Sequence, residues 1–320
     1  MIPDIVLNEA AVRELLDMKE AVAAVENAFK AYSLGDCEMP PKLYLDLPKF
    51  SGDYRAMPAY IDGVAGIKWV SVYPNNPKHG LPTVIATIIL NDSNTSVPLA
   101  MVDGTYLTSA RTGAAGAVAA KYLAKKNASV MGLIGAGAQA KTQLIATKHA
   151  VPGITKVKVY DPRQAVAKAF AEELSAQLGV NIEVCASIQE AADSDIVVTT
   201  TPSRTPVLLK KHVKPGTHIN AIGADAEGKQ EIESELMQIC KIVVDDSAQA
   251  CHSGEVNVPL SCGAISESNI YGALGDIIAG KIPGRQNDDE ITVFDSTGLA
   301  IQDIACAKLV YEKAKKNNGK

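Results

Sequence analysis

The sequence predicts an α/β protein in which a doubly wound parallel sheet is joined to a second, discontinuous domain of mixed helix and strand. Three observations carry that prediction. From residue 129 onward apolar stretches alternate with helical ones, whereas residues 37 to about 107 show short strands punctuated by turn residues. The final stretch, "LAIQDIACAKLVYEKAKK", has the pattern of an amphipathic helix that folds back onto the first domain. Strands that are apolar on both faces and separated by helices belong to a parallel sheet covered on both sides.

Taken in order, residues 9 to 34 read as one helix, with Asp17 and Glu20 in a capping-box pattern and Val22, Val25, Ala28 and Phe29 recurring on one face. Gly35 supplies the stop. The strands "LYLDL", "AGIKWVSVY", "TVIATIIL" and "PLAMVDG" follow, separated by "PNNPKHGLP" and "NDSNTS", and predict a largely antiparallel sheet. Residues 110 to 126, "ARTGAAGAVAAKYLAKK", form a helix of small residues that lets its neighbours approach closely. The parallel sheet is then built from "SVMGLIG", "KVKVYD", "IEVCA", "DIVVTTT", "THINAIGAD", "KIVVDD" and "ITVFDST". The predicted domains are residues 1–119 with 304–320, and residues 120–303.

Composition narrows the function classes. At 320 residues and 47% apolar the chain can bury a substantial core. A net charge of -5, with no basic block beyond the tail "KAKKNNGK", speaks against nucleic acid as a partner, and that tail reads as a solvated helix end. No apolar run approaches the ~20 residues that cross a bilayer, and "MIPDIVLNEAAV" lacks the basic-then-apolar order of a leader, so a cytoplasmic protein with no membrane partner is expected. The cysteines at 37, 185, 240, 251, 262 and 306 show no CxxC pairing and predict reduced thiols. The five histidines include no HxH or HExxH spacing, so no metal site is expected.

The most specific local signal is "VMGLIGAGAQAKTQL". A strand runs into Gly135, Ala136, Gly137, Ala138, Gln139 and Ala140 and a helix follows, which is the G-x-G-x-x-G/A arrangement in its required setting. Gly135 permits the tight turn, Gly137 lets backbone meet a pyrophosphate, and Ala140 packs helix against strand. The helix N-terminus offers amides and positive dipole to the phosphates. The next strand ends in Asp161, 21 residues beyond Ala140, where an acid binds the adenosine ribose hydroxyls. This is a Rossmann dinucleotide site. Asp161 favours NAD by repelling the extra phosphate of NADP; Arg163, beyond Pro162, either stacks on adenine or serves NADP. Two later strand ends face the same cofactor: "TTTPS" with Thr201, and "NAIGADAEGKQE" with Gly223, Ala224, Asp225 and Lys229. Ser296 completes the predicted cofactor contacts.

The combination "RAMPAY", "GIKWVSVYPNNPKHGLPT", "SARTGAAG", "GAGAQA", "AIGADAEGKQE" and "FDSTGLAIQD" resembles the ornithine cyclodeaminase/mu-crystallin family over nearly the whole chain, in the same order. Within it the fit is to the archaeal-type, NAD-dependent alanine dehydrogenase branch. The resemblance implies a homodimer whose N-terminal domain forms the substrate site and the subunit interface. It also implies active-site roles for Lys68 and Asp225 in proton transfer, and for Arg111 in contact with substrate or cofactor. Cyclodeaminases of the family carry a glutamate where this chain has Arg55, suited to the second amino group of a diamine. Arg55 instead suits a carboxylate, with Lys42 placed similarly. Four cations, Lys42, Arg55, Lys68 and Arg111, are thus expected around a small amino or 2-oxo acid. The implied reaction is the NAD-dependent interconversion of L-alanine with pyruvate and ammonia, with Lys68 as acid/base if crowding by the other cations lowers its pKa. The rival readings are ornithine cyclodeamination, an NAD(P)H-dependent ketimine reductase, and a non-catalytic dinucleotide-binding protein.

Overall fold

The computed structural model describes residues 2–318, so the last two residues of the charged tail lie outside the described part. The chain forms two units, one comprising Met1–Arg111 with Leu299–Lys320 and the other Thr112–Gly298. This division puts Arg111 and the closing helix in the same unit.

The first unit begins with β1 (Ile5–Leu7), α1 (Glu9–Leu15) and α2 (Met18–Leu34). The expected single helix over 9–34 is therefore two. The break falls at Leu16 and Asp17 because the Asp17 carboxylate accepts the amides of Lys19 and Glu20, and so caps a new helix where the first one ends. Gly35, at φ 78°, ends α2 as expected. Next come β2 (Cys37–Glu38), β3 (Leu43–Leu47), β4 (Gly52–Ile61), β5 (Val64–Val72), β6 (Val84–Asp92) and β7 (Pro98–Asp103). They form a sheet in the order β1-β7-β6-β5-β4-β2, with β3 also paired to β4. Every pair is antiparallel except β1 with β7; β1, only three residues long, has too little pattern to be read from sequence. The helix α3 (Thr105–Leu123) starts five residues earlier than expected and carries Arg111.

Alternation along the strands separates two faces. The inner face carries Met57, Ala59, Ile61, Val70, Ala86, Ile88, Leu90, Ala100 and Val102, all buried. The outer face carries Leu43, Leu45, Trp69, Ile85, Ile89 and Met101, all exposed, with Tyr54 stacked on Trp69 at 5.2 Å between ring centroids.

The second unit continues with β8 (Val130–Ile134), α4 (Ala138–Ala150), β9 (Lys156–Tyr160), α5 (Gln164–Leu178), β10 (Asn181–Val184), α6 (Ile188–Ala192), β11 (Ile196–Thr199) and β12 (His218–Ala221). It ends with α7 (Ser234–Met237), β13 (Lys241–Val244), α8 (Ser247–Ser253), α9 (Asn257–Ser261), β14 (Ile270–Ala273), α10 (Leu274–Ile278) and β15 (Thr292–Asp295). The sheet is parallel throughout, in the order β10-β9-β8-β11-β12-β15-β13-β14, with the switch point between β8 and β11. This is the doubly wound fold the alternation predicts. Two apolar clusters flank the sheet, one around Leu133, Val157 and Phe170 and the other around Val197, Ile219 and Val293.

The last helix, α11 (Ala300–Asn318), returns to the first unit, where it packs on α2 and across β4, β5 and β6. Among the described residues no helix is long and apolar enough to cross a membrane.

Candidate active site

Lys68 stands on the inner face of β5, opposite the apolar Met57 of β4 and Ile88 of β6. What gives its charge a partner is α11. Gly66, two residues earlier on the same face, leaves room for that helix: a Cβ there would lie 2.7 Å from Ile304 Cδ1. The close approach brings Asp303 onto the sheet. Its Oδ2 lies 2.7 Å from Lys68 Nζ, and its Oδ1 accepts from Arg111 Nε at 2.8 Å. Arg111 Nη1 also donates to Gln302 Oε1 at 3.1 Å, an oxygen that takes the Leu299 amide as well. The two donors fix the orientation of that amide group, and its Nε2 finds no acceptor among the described residues.

Lys68 is 1% exposed and Asp303 fully buried. One carboxylate thus faces two cations, and the trio carries a net positive charge whenever Lys68 is protonated. Burial lowers the Lys68 pKa to about 7; Asp303 opposes that shift, while the charges of Arg111 and Lys42 add to it. The expected fall toward neutrality is present, but its leading cause is desolvation, with crowding by cations second. Asp303 was not singled out in the sequence, although it ends the "FDSTGLAIQD" segment. Its contact with Arg111 spans 192 residues, which no local pattern reports.

Arg55 lies on the same inner face as Met57 and Lys68 and is buried, not a surface charge. Its anion is Asp53, on the same side of the same strand: Nε donates to Oδ1 at 2.7 Å and Nη2 to Oδ2 at 3.3 Å. The guanidinium also lies over the Tyr44 ring, 5.4 Å from its centroid. Lys42, half-buried just before β3, is near enough for its charge to act on Lys68. The four cations expected from sequence are therefore all in the first unit.

In the second unit, Gly135 follows β8 with φ 101° and donates its amide to Tyr160 O at 2.8 Å. That conformation, and a Cβ that would sit 2.7 Å from Thr200 Oγ1, both demand glycine. Gly137 caps α4 in an extended conformation, and an added Cβ would meet nothing within 4 Å. The first turn of α4, with Ala138 exposed, therefore opens onto free space with its amides unpaired within the helix. Ala140 is buried against the sheet, and the buried Gln139 Oε1 has no hydrogen-bond partner among the described residues.

Asp161 ends β9. It accepts the amides of Ala136 at 3.2 Å and Arg163 at 2.9 Å, and the Arg163 Nε at 3.1 Å. Burial alone would raise its pKa; the Arg163 and Ala136 bonds outweigh it and hold the carboxyl below the usual range. Arg163 itself is largely exposed, and Pro162 between them is exposed. An open glycine turn and a helix N-terminus that offer amides to a pyrophosphate, with a fixed acid at the next strand end to accept from ribose hydroxyls, fit a dinucleotide.

Beyond the switch point, Thr201 and Gly223 donate their amides to the buried Glu231, at 2.6 and 2.8 Å. Ala224 is buried, and Asp225, part-exposed, pairs with Lys229 at 2.5 Å. Ser296 is buried, and its hydroxyl has no hydrogen-bond partner among the described residues. Among the described residues no group of three or more His, Cys, Asp or Glu side chains could hold a metal ion.

Comparison with known proteins identifies the family. The sequence profile of the ornithine cyclodeaminase/mu-crystallin family matches residues 3–318. The alanine dehydrogenase of Archaeoglobus fulgidus is 52% identical over 314 residues, 98% of this chain and 96% of that one. The solved structure of an archaeal alanine dehydrogenase dimer with bound NAD superposes with a TM-score of 0.95 at 52% identity, over 98% of this chain and 97% of the other. The Thermococcus litoralis Δ1-pyrroline-2-carboxylate reductase, in complex with NADH and L-proline, gives a TM-score of 0.96 at 41% identity over 98% of both chains. On its sequence motifs, its fold and its relatives, the chain belongs to the ornithine cyclodeaminase/mu-crystallin family.

Proposed function

We propose that the protein is an NAD-dependent oxidoreductase that interconverts L-alanine with pyruvate and ammonia. The observation that carries this reading is the buried Lys68, its pKa near neutrality, held with Arg111 on the single carboxylate of Asp303. A buried trio with surplus positive charge suits a small carboxylate ligand. A lysine poised near pH 7 suits an acid/base that works in both directions. The relative at 52% identity is an alanine dehydrogenase, which selects alanine among such ligands.

The balance is alanine, NAD+ and water to pyruvate, ammonium, NADH and one proton. Bound NAD supplies the hydride acceptor, held by Gly135, Gly137, Ala138, Gln139, Asp161, Pro162 and Arg163, with Thr201, Gly223, Ala224, Lys229 and Ser296 at the later strand ends. Arg55, Arg111 and Lys42 hold the substrate carboxylate, which sets the direction of the C-alpha hydrogen; such positioning lowers a barrier by up to ~7–11 kcal/mol in favourable cases. Lys68, as the neutral amine, takes the proton released from the substrate amine and returns it in the reductive direction. Asp225 is assigned a part in proton transfer, tested separately by Asp225→Asn.

The assembly we infer is a homodimer formed through the outer face of the first unit's sheet. Leu43, Leu45, Trp69, Ile85, Ile89 and Met101, on four strands, leave large apolar side chains exposed on one sheet face, the kind of patch that marks a protein–protein contact. The archaeal alanine dehydrogenase relative is a dimer.

The deciding assay follows NADH absorbance with pyruvate and ammonium, beside parallel assays with Δ1-pyrroline-2-carboxylate and for proline from ornithine. Pyruvate- and ammonium-dependent NADH loss supports the proposal. Preference for the cyclic imine, the activity of the relative with TM-score 0.96, would replace it with ketimine reduction. Proline from ornithine without net redox change would mean that an acid other than the one lost at position 55 holds a diamine.

A further inference from the structure

The second unit buries a series of carboxylates that the proposed chemistry does not use. Glu231 is fully buried and accepts three donors: Thr201 N at 2.6 Å on Oε1, and Thr199 Oγ1 and Gly223 N, both at 2.8 Å, on Oε2. One side chain therefore ties the exit of β11 to the exit of β12. Its own backbone is held in turn, because Glu255 accepts the amides of Glu231 at 2.9 Å and Ile232 at 2.6 Å. The next amide along from Glu255, that of Val256, goes to Asp295 Oδ2 at 3.1 Å, at the end of β15. Among the described residues no lysine or arginine pairs with Glu231, Glu255 or Asp295.

The placement is specific. In a doubly wound sheet the strands on one side of the switch point serve one half of a dinucleotide and those on the other side serve the other half. Gly135, Gly137 and Asp161 belong to β8 and β9, the adenosine side. Thr201 and Gly223 belong to β11 and β12, the nicotinamide side. Gly223 is also constrained by Glu231 directly, since a Cβ there would lie 2.6 Å from Glu231 Oε2. Charge-assisted bonds to backbone amides are short and stiff, so the carboxylate defines where these two turns stand.

We propose that Glu231 is a positioning residue for the nicotinamide half of the cofactor, acting through the Thr201 and Gly223 turns and not on the adenosine half. This rests on the dinucleotide-binding reading above. Burial pushes the carboxyls of Glu231 and Glu255 up, the second further because of the first, so the strut is strongest where Glu231 keeps its charge.

The test compares two probes, NADH and ADP-ribose, by titration of the full chain without substrate. Glu231→Gln keeps size and shape, but its Nε2 is a donor. Whichever way the amide turns, it leaves either the Thr201 amide or the Thr199 and Gly223 donors without an acceptor. An orphaned buried donor weakens what depends on it by about tenfold, so the Kd for NADH rises by that factor while the Kd for ADP-ribose stays within about twofold. Thr199→Val, which deletes only the hydroxyl bond, covers the case in which the first variant does not fold; it weakens NADH a few-fold and spares ADP-ribose. Equal loss of both probes, or loss of neither, overturns the proposal and leaves Glu231 as a strut of the fold. If the unaltered protein binds neither NADH nor ADP-ribose, the dinucleotide reading itself falls.

Discussion

Replacing Asp303 with asparagine isolates the charge that opposes the desolvation of Lys68. The carboxylate lies 2.7 Å from Nζ with both groups buried, and the Coulomb ceiling at an effective dielectric near 20 is about 6 kcal/mol. Opposite charges this close move a pKa by ~1–3 units, or ~1.4–4 kcal/mol. Asp303 favours the ammonium form, so removing it favours the amine and the Lys68 pKa falls below its value of about 7. Alanine oxidation, which needs the neutral base, should therefore keep its rate to lower pH: the ascending limb of kcat/KM moves acidward by one to three units (roughly). Pyruvate reduction, which needs the ammonium, should lose rate near neutrality in the same variant. Asparagine still offers an oxygen to Arg111 Nε, so NADH affinity serves as the control. An ascending limb that stays in place, or moves to higher pH, would refute the assignment of Lys68 as the titrating base partnered by Asp303.

Three further outcomes follow from the geometry. Arg55→Ala should raise the KM for pyruvate by ~10- to 100-fold, the scale of a lost charged hydrogen bond, while Arg55→Lys recovers part of it; an unchanged KM would leave Arg55 as the partner of Asp53 alone. Asp161→Ser removes the anion that repels a 2′-phosphate and releases Arg163, so the Kd for NADPH should fall by about tenfold; if it does not, Arg163 takes no part in cofactor choice. Trp69 is the only tryptophan of the chain and 41% exposed on the outer sheet face, so if the proposed dimer forms there its emission should shift on dilution. Trp69→Glu should sediment as a monomer, and a retained dimer would move the interface elsewhere.

The doubly wound unit was legible because its signals are local. Apolar strands, the Gly135–Ala140 turn and the acid at Asp161 each lie within one strand-turn-helix segment. The cations were legible only as residues of family motifs, since nothing in the neighbourhood of Lys68 in sequence announces its partner. Asp53 could have been found: residues two apart on a strand share a face, and the stretch "DYR" puts the acid beside Arg55. Asp303 could not, because the contact depends on α11 crossing β5 at Gly66, a packing event between distant segments. The split between α1 and α2 was present in the very residue used to argue for one helix, since Asp17 caps a new start.

The return of α11 to the first unit has a consequence for synthesis. Arg111 and Asp303 are separated by 192 residues, and ribosomes add about 5–20 residues per second, so the chain spends roughly 10–40 s with Lys68 and Arg111 both made and their carboxylate not yet translated. During that interval the second unit can fold on its own contacts, while the inner face of the first sheet waits uncovered. Nascent chains stalled before residue 300 should therefore present that apolar face to chaperones, and the paired lysine comes into being only as the last helix docks.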